Sequence, residues 1–130
     1  MPFSTGMVLG SGRDGGIGPP HPPDPGTSLA ANGDLKHLTA LETFNATARA
    51  LTHAGLLVIL NNHISHPMWC CDGSDGEGLW YTDEYPEKAW IRSLRNMAAL
   101  FSDDPRVVGM DLRNELRESS HGVPRWGGGD

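Results

Sequence analysis

The sequence predicts an α/β fold with parallel strands, on three observations. Two short apolar runs, "LLVIL" at residues 56–60 and "VVGM" at 107–110, have the length and continuity of strands covered on both faces. Each run follows a stretch of helical periodicity. Each also ends in polar groups, "NNHIS" after the first and "RNELR" after the second. Helix, strand, loop, helix, strand in that order contains a βαβ unit, whose strands lie parallel with the helix covering the sheet.

In "NGDLKHLTALETFNATARALTHAG", Leu38, Leu41, Ala48 and Leu51 fall near helical spacing, and Ala40 and Phe44 widen the stripe. This predicts an amphipathic helix of about 16–18 residues, capped by Asn32 or Asp34 and stopped at Gly55. In "EKAWIRSLRNMAALFSDD", Trp90, Leu94, Met97, Ala98 and Phe101 share one helical face, and Pro86 stands near the first turn, where proline is tolerated. The stretch between the first strand and this helix is rich in Gly, Asp and aromatic residues and reads as a loop.

The ends have a different composition. Residues 10–27 form a Gly/Pro-rich loop without hydrophobic period, and residues 118–130 read as an unstructured tail, which leaves 1–117 as the folded domain. "GSGRDGG" near the start lacks the Lys-Ser/Thr and the strand-to-helix junction of a phosphate-cradling loop. With 130 residues the chain has room for one domain.

A formal charge of -6 with no cluster of Lys and Arg argues against a nucleic-acid partner. No apolar run approaches the roughly 20 residues needed to span a bilayer, and "MPFSTGMVLGSG" has neither the basic nor the apolar region of a signal peptide. A membrane partner is not expected, and oligomeric state is not legible.

Glu115, at the carboxyl end of a predicted buried strand, is either an ordinary exposed acid or a catalytic carboxylate. Asn114 beside it favours the second: an amide can hold a sugar hydroxyl while the acid protonates a leaving oxygen, the division of labour of glycoside hydrolysis. His63, with Asn61 and Asn62, makes a second polar strand end. Parallel α/β folds put their chemistry at this end of the sheet. Trp69, Trp80 and Tyr81 follow in the loop and are either stacking faces for sugar rings or anchors of the loop.

"HISHPMWCCD" also gathers His63, His66, Cys70, Cys71 and Asp72, atoms that zinc uses, but the spacing fits no common zinc pattern, so no metal and no cofactor are expected. The adjacent Cys70 and Cys71 are free thiols, partners of another cysteine, or a bonded pair. "NAT" at 45–47 is an N-glycosylation sequon on a predicted helix and decides nothing.

Five segments in order, "MPFS" (1–4), "NGDLKHLTAL" (32–41), "GLLVILNNHISHPMWCC" (55–71), "DGEGLW" (75–80) and "VVGMDLRNELR" (107–117), resemble glycoside hydrolase family 5, the cellulase family, in its endoglucanase-like branch. The resemblance implies a partial (β/α)8 TIM barrel comprising the end of strand two, strand three and strand four. It implies hydrolysis of O-glycosyl bonds in β-glycans such as cellulose by a retaining two-carboxylate mechanism, with a polysaccharide or oligosaccharide as substrate. It makes Glu115 the general acid/base and Asn114 a substrate-binding neighbour. His63 becomes a subsite residue, and Trp69 and Trp80 become sugar contacts. Members are usually secreted, which implies an extracellular protein.

Such barrels take about 250 residues, and the resemblance places the nucleophile glutamate on a strand seven beyond residue 130. Met1 stands where the family has an arginine. Asp111 lies four residues before Glu115, about 13 Å along a strand, whereas a retaining pair sits about 5–5.5 Å apart. The chain alone is therefore expected to be inactive, the alternative reading being a truncated or carbohydrate-binding product.

Overall fold

The computed structural model describes residues 1–10, 29–125 and 127, so the glycine/proline-rich stretch and the last residues of the tail lie outside it. Strand β1 (Pro2–Ser4) leads into a short helix α1 (Thr5–Leu9), whose first turn is capped by Ser4: its hydroxyl accepts from the Met7 N–H at 3.0 Å. A single 3-10 turn (Gly33–Leu35) precedes helix α2 (Ala40–His53), and strand β2 (Val58–Ile64), helix α3 (Glu87–Leu100) and strand β3 (Val107–Asp111) complete the order. Among the described residues the strands form one parallel sheet in the order β1-β2-β3. The β2–α3–β3 unit is the βαβ crossover that the sequence predicts.

Helix α2 starts later than its apolar stripe suggests. Its cap is Thr39, which forms a capping box with Glu42: the Thr39 hydroxyl accepts from the Glu42 N–H at 3.2 Å, and the Glu42 carboxylate accepts from the Thr39 N–H at 2.8 Å. Asn32 precedes the 3-10 turn instead. Strand β2 starts two residues later than predicted and runs four residues further, so that Leu56 and Leu57 are exposed and Asn61, Asn62 and His63 belong to the strand itself.

The core lies between the helices and one face of the sheet. Phe3, Val58 and Leu60 meet Phe44 and Ala48 of α2 and Ala89, Met97 and Phe101 on the α3 side. Phe44 makes edge contacts with Phe3 and Phe101, each at 6.2 Å between ring centres. Met97 and Phe101 of the predicted α3 face are buried, joined by Ala89 and Ser93; Ala98 is exposed and Trp90 and Leu94 are half-buried. Small residues there let the helix approach α1, and the Ser93 hydroxyl is satisfied by the Trp90 carbonyl at 2.8 Å.

The other sheet face is open. Along β2 burial alternates, and Ile59 is 57% exposed, contrary to the expectation of a strand covered on both faces. This face carries Ile59, Asn61 and His63, with Gly109 and Asp111 in register on β3. In the tail, Ser119 and Gly122 exchange two backbone hydrogen bonds, so part of the segment expected to lack structure is folded back. Among the described residues no helix is long and apolar enough to cross a membrane.

Candidate functional site

The parallel pairing of β2 with β3 brings the two polar strand ends side by side. Beyond the last residue of β3 the ladder continues for one more bond, the Asn114 N–H donating to the Asn62 carbonyl at 2.9 Å. Asn114 is half-buried, and its side-chain nitrogen is itself buried, with no hydrogen-bond partner among the described residues. Glu115 follows with φ of 45°, a left-handed conformation uncommon for a residue with a side chain, and its carboxylate is exposed. An unpartnered amide donor beside an exposed acid is an arrangement suited to holding and protonating an oxygen-rich ligand.

This pair is held from both flanks. Arg113 is 8% exposed and donates from Nη2 to the Glu77 carboxylate at 2.9 Å and to the Glu77 carbonyl at 2.8 Å. Arg117 donates from Nη2 to both oxygens of Asp75, at 2.6 and 2.7 Å. The "RNELR" segment is thus fastened by its two arginines to the two acids of "DGEG", with Asn114 and Glu115 between the fastenings. Gly78 permits the approach: a Cβ there would run into the Arg117 carbonyl oxygen.

Glu77 is the centre of this network and is 1% exposed. Its carboxylate also accepts from the Ser65 N–H at 2.7 Å and the His66 N–H at 3.0 Å, and it meets the His66 Nδ1. Burial pushes the Glu77 carboxyl up, but the hydrogen bonds from His66, Ser65 and Arg113 outweigh that, leaving it below the usual glutamate range. Burial pushes the Arg113 guanidinium down, and the Glu77 carboxylate opposes that shift. Neither residue stood out in the sequence, although acids two apart (75, 77) and arginines four apart (113, 117) are the pattern that the pairing requires.

His63 is half-buried on the open sheet face. Its Nδ1 lies 2.8 Å from the Asn61 side-chain oxygen, and the Asn61 amide nitrogen meets the Asp111 carboxylate on the neighbouring strand. Trp69 is 92% exposed in the loop beyond β2. Trp80 packs at 6.2 Å on Trp90, donates to Glu87 at 3.3 Å, and lines a groove of about 480 Å³ that also includes Asp111, Arg113 and Leu116. That groove includes neither His63 nor Glu115.

The potential metal ligands divide. One ligand atom each of His63, Cys70 and Cys71 lies within 4.8 Å of the others, but the two cysteines are bonded to each other. His66 is taken by Glu77 and Glu84, and Asp72 accepts from Ser74 at 2.8 Å. Zinc uses thiolates, and the joined sulfurs have none to offer.

Residues 22–127 match the model of the cellulase family, glycosyl hydrolase family 5. Similar proteins include a glycosyl hydrolase 5 family protein of Chamaecyparis obtusa, 43% identical over 72% of this chain and 16% of its own. The major extracellular endoglucanase of Xanthomonas campestris pv. campestris is 34% identical over 76% of this chain and 18% of its own. The chain thus spans less than a fifth of either relative. An endocellulase of Pyrococcus horikoshii superposes with a TM-score of 0.73 at 25% identity, over 99% of this chain and 32% of that one. A cellotetraose complex of that endocellulase superposes with a TM-score of 0.68 at 26% identity, over 88% of this chain and 26% of that one. With its parallel sheet, its strand-end Asn-Glu pair and this match over most of its length, the chain belongs to glycosyl hydrolase family 5, the cellulase family.

Proposed function

We propose that this chain is the acid/base portion of a retaining β-glucan hydrolase. In this reading Glu115 gives its proton to the glycosidic oxygen as the bond to the leaving sugar breaks, then, as a carboxylate, takes a proton from the water that releases the glycosyl-enzyme. Asn114 and His63 hydrogen-bond sugar hydroxyls, and Trp69 offers a stacking face. Trp80, engaged by Trp90 and Glu87, serves as an anchor of its loop. The two-carboxylate mechanism needs no metal or cofactor.

The observation that carries the reading is the fastening of Asn114 and Glu115 between Arg113 and Arg117, which leaves an unpartnered amide and an exposed acid together at the strand end. The substrate class follows from the endoglucanase and cellotetraose relatives. An extracellular location is supported by the Xanthomonas relative and by the bonded cysteine pair, a feature of oxidising compartments.

The isolated chain binds β-glucan without hydrolysing it, in this reading. The neighbouring acids are already engaged: Asp111 with Asn61, Asp75 with Arg117, Glu77 with Arg113 and Asp72 with Ser74. A retaining mechanism needs a second carboxylate about 5–5.5 Å from Glu115, and these four are held by other partners. The test is a chimera in which residues 29–125 replace the matching segment of the Paenibacillus polymyxa endoglucanase, a 34% identical relative. Glu115→Gln in the chimera is expected to lower kcat on cellotetraose about 10²–10⁴-fold. A change under about threefold would remove Glu115 from the acid/base role.

A further inference from the structure

Cys70 and Cys71 are joined to each other, and neither is free. A bond between chain neighbours closes a small ring whose sulfurs do not move independently, so the pair presents a fixed, polarisable and largely apolar surface. Both cysteines and His63 are half-buried, and one ligand atom from each of the three lies within 4.8 Å of the others. The loop thus folds back to set the disulfide against the imidazole on the open face of the sheet.

The hydrogen-bonding state of that imidazole follows from its neighbours. The Asp111 carboxylate only accepts, so the Asn61 amide turns its nitrogen to Asp111 and its oxygen to His63. An amide oxygen likewise only accepts, so a neutral His63 carries its proton on Nδ1 and keeps a lone pair on Nε2. One small area then offers a hydrogen-bond acceptor directed by a chain across two strands, an apolar sulfur surface beside it, and the 92% exposed Trp69 immediately before the disulfide. A pyranose ring presents the complement, hydroxyls at its edge and C–H groups on its face.

We propose that the Cys70–Cys71 disulfide is a sugar-contacting platform: the C–H face of one glucosyl unit packs against the sulfurs while a hydroxyl of that unit donates to His63 Nε2. The proposal rests on the reading of this chain as a β-glucan binder and assigns the disulfide a direct part in it. The sulfurs act as a contact surface, not as metal ligands or as a redox centre.

The test uses the whole chain with cellotetraose as the probe, followed by NMR titration before and after reduction with a water-soluble phosphine. The phosphine is oxidised to its oxide while water supplies the thiol protons. The oxidised chain is expected to bind cellotetraose and to give intermolecular NOEs between sugar ring protons and the Cβ protons of Cys70 or Cys71. Reduction, or the double change Cys70→Ser/Cys71→Ser, is expected to weaken binding about five- to tenfold, as loss of one small apolar contact would. Equal affinity before and after reduction overturns the platform and leaves the glycan reading standing. Weaker binding after reduction without NOEs in the oxidised chain also overturns it, since the disulfide would then act only by shaping the loop. If the oxidised chain does not bind cellotetraose, the glucan-binding reading falls and the platform falls with it.

Discussion

Replacing Glu77 with glutamine tests the fastening of the strand-end segment. Glu77 and Arg113 are almost wholly buried and meet at 2.9 Å, and the same carboxylate accepts from Ser65, His66 and Arg113. Removing one member of a buried pair leaves the other charge uncompensated, at a cost of about 3–5 kcal/mol. The glutamine NH₂ would also turn a donor toward groups that already donate, which keeps the loss at the upper end of that range. For a domain of this size a loss of about 3 kcal/mol lowers Tm by about 9–15 °C.

Thermal and urea unfolding of wild type and Glu77→Gln, followed by circular dichroism, measures the loss. Arg113→Met alone is expected to be comparably damaging, and Glu77→Leu/Arg113→Met to recover much of the loss, because it removes both charges. The pH dependence has a fixed sign. The folded carboxyl lies below its ordinary value, so its contribution is fully present above the unfolded pKa and is lost as pH falls through the lowered folded value. The wild-type and variant stabilities should therefore converge on acidification below the ordinary glutamate range. A loss under about 1 kcal/mol at neutral pH, or a double variant no better than the sum of the singles, refutes the reasoning.

Other outcomes follow from single contacts. Gly78→Ala places a methyl group against the Arg117 carbonyl, which is backbone and cannot swing away, so a destabilisation of about 1–3 kcal/mol is expected in urea unfolding. Thr39→Ala removes the capping box of α2 at a cost of about 1 kcal/mol, and Thr39→Ser should restore most of it. Asp111→Ala frees the Asn61 amide to turn and is expected to leave stability within about 0.5 kcal/mol, since Asp111 is exposed. Its cellotetraose affinity, read by calorimetry, should nevertheless fall about two- to fivefold, the value of one hydrogen bond.

The fold was legible where local pattern and tertiary contact agree. The apolar stripe from Leu41 to Leu51 gave α2, but its start was misplaced, because Leu38 fits the stripe while the chain there only completes its 3-10 turn before Thr39 caps the helix. The box Thr39-x-x-Glu42 was the available signal. "LLVIL" marked a strand, yet its limits are set by pairing, Val58–Asn61 with β3 and Asn61–Ile64 with β1, which carries it into Asn61–Ile64. Glu115, Asn114 and His63 were reached from the rule that parallel sheets carry chemistry at their carboxyl ends. Glu77, Asp75 and the roles of Arg113 and Arg117 were not, because their pairing links loops far apart in sequence, and charge alone does not distinguish a buried acid from a solvated one.

We propose that the carboxyl end of β2 and β3 is a β-glucan site built around Asn114 and Glu115. Amide chemical-shift mapping of cellotetraose on the isotopically labelled chain tests it most directly. Saturable shifts are expected to cluster at Asn61, His63, Trp69, Asn114 and Glu115 and to leave α2 undisturbed. Shifts confined to the helices or to the groove beside Trp80 and Trp90, or none at millimolar sugar, would contradict it.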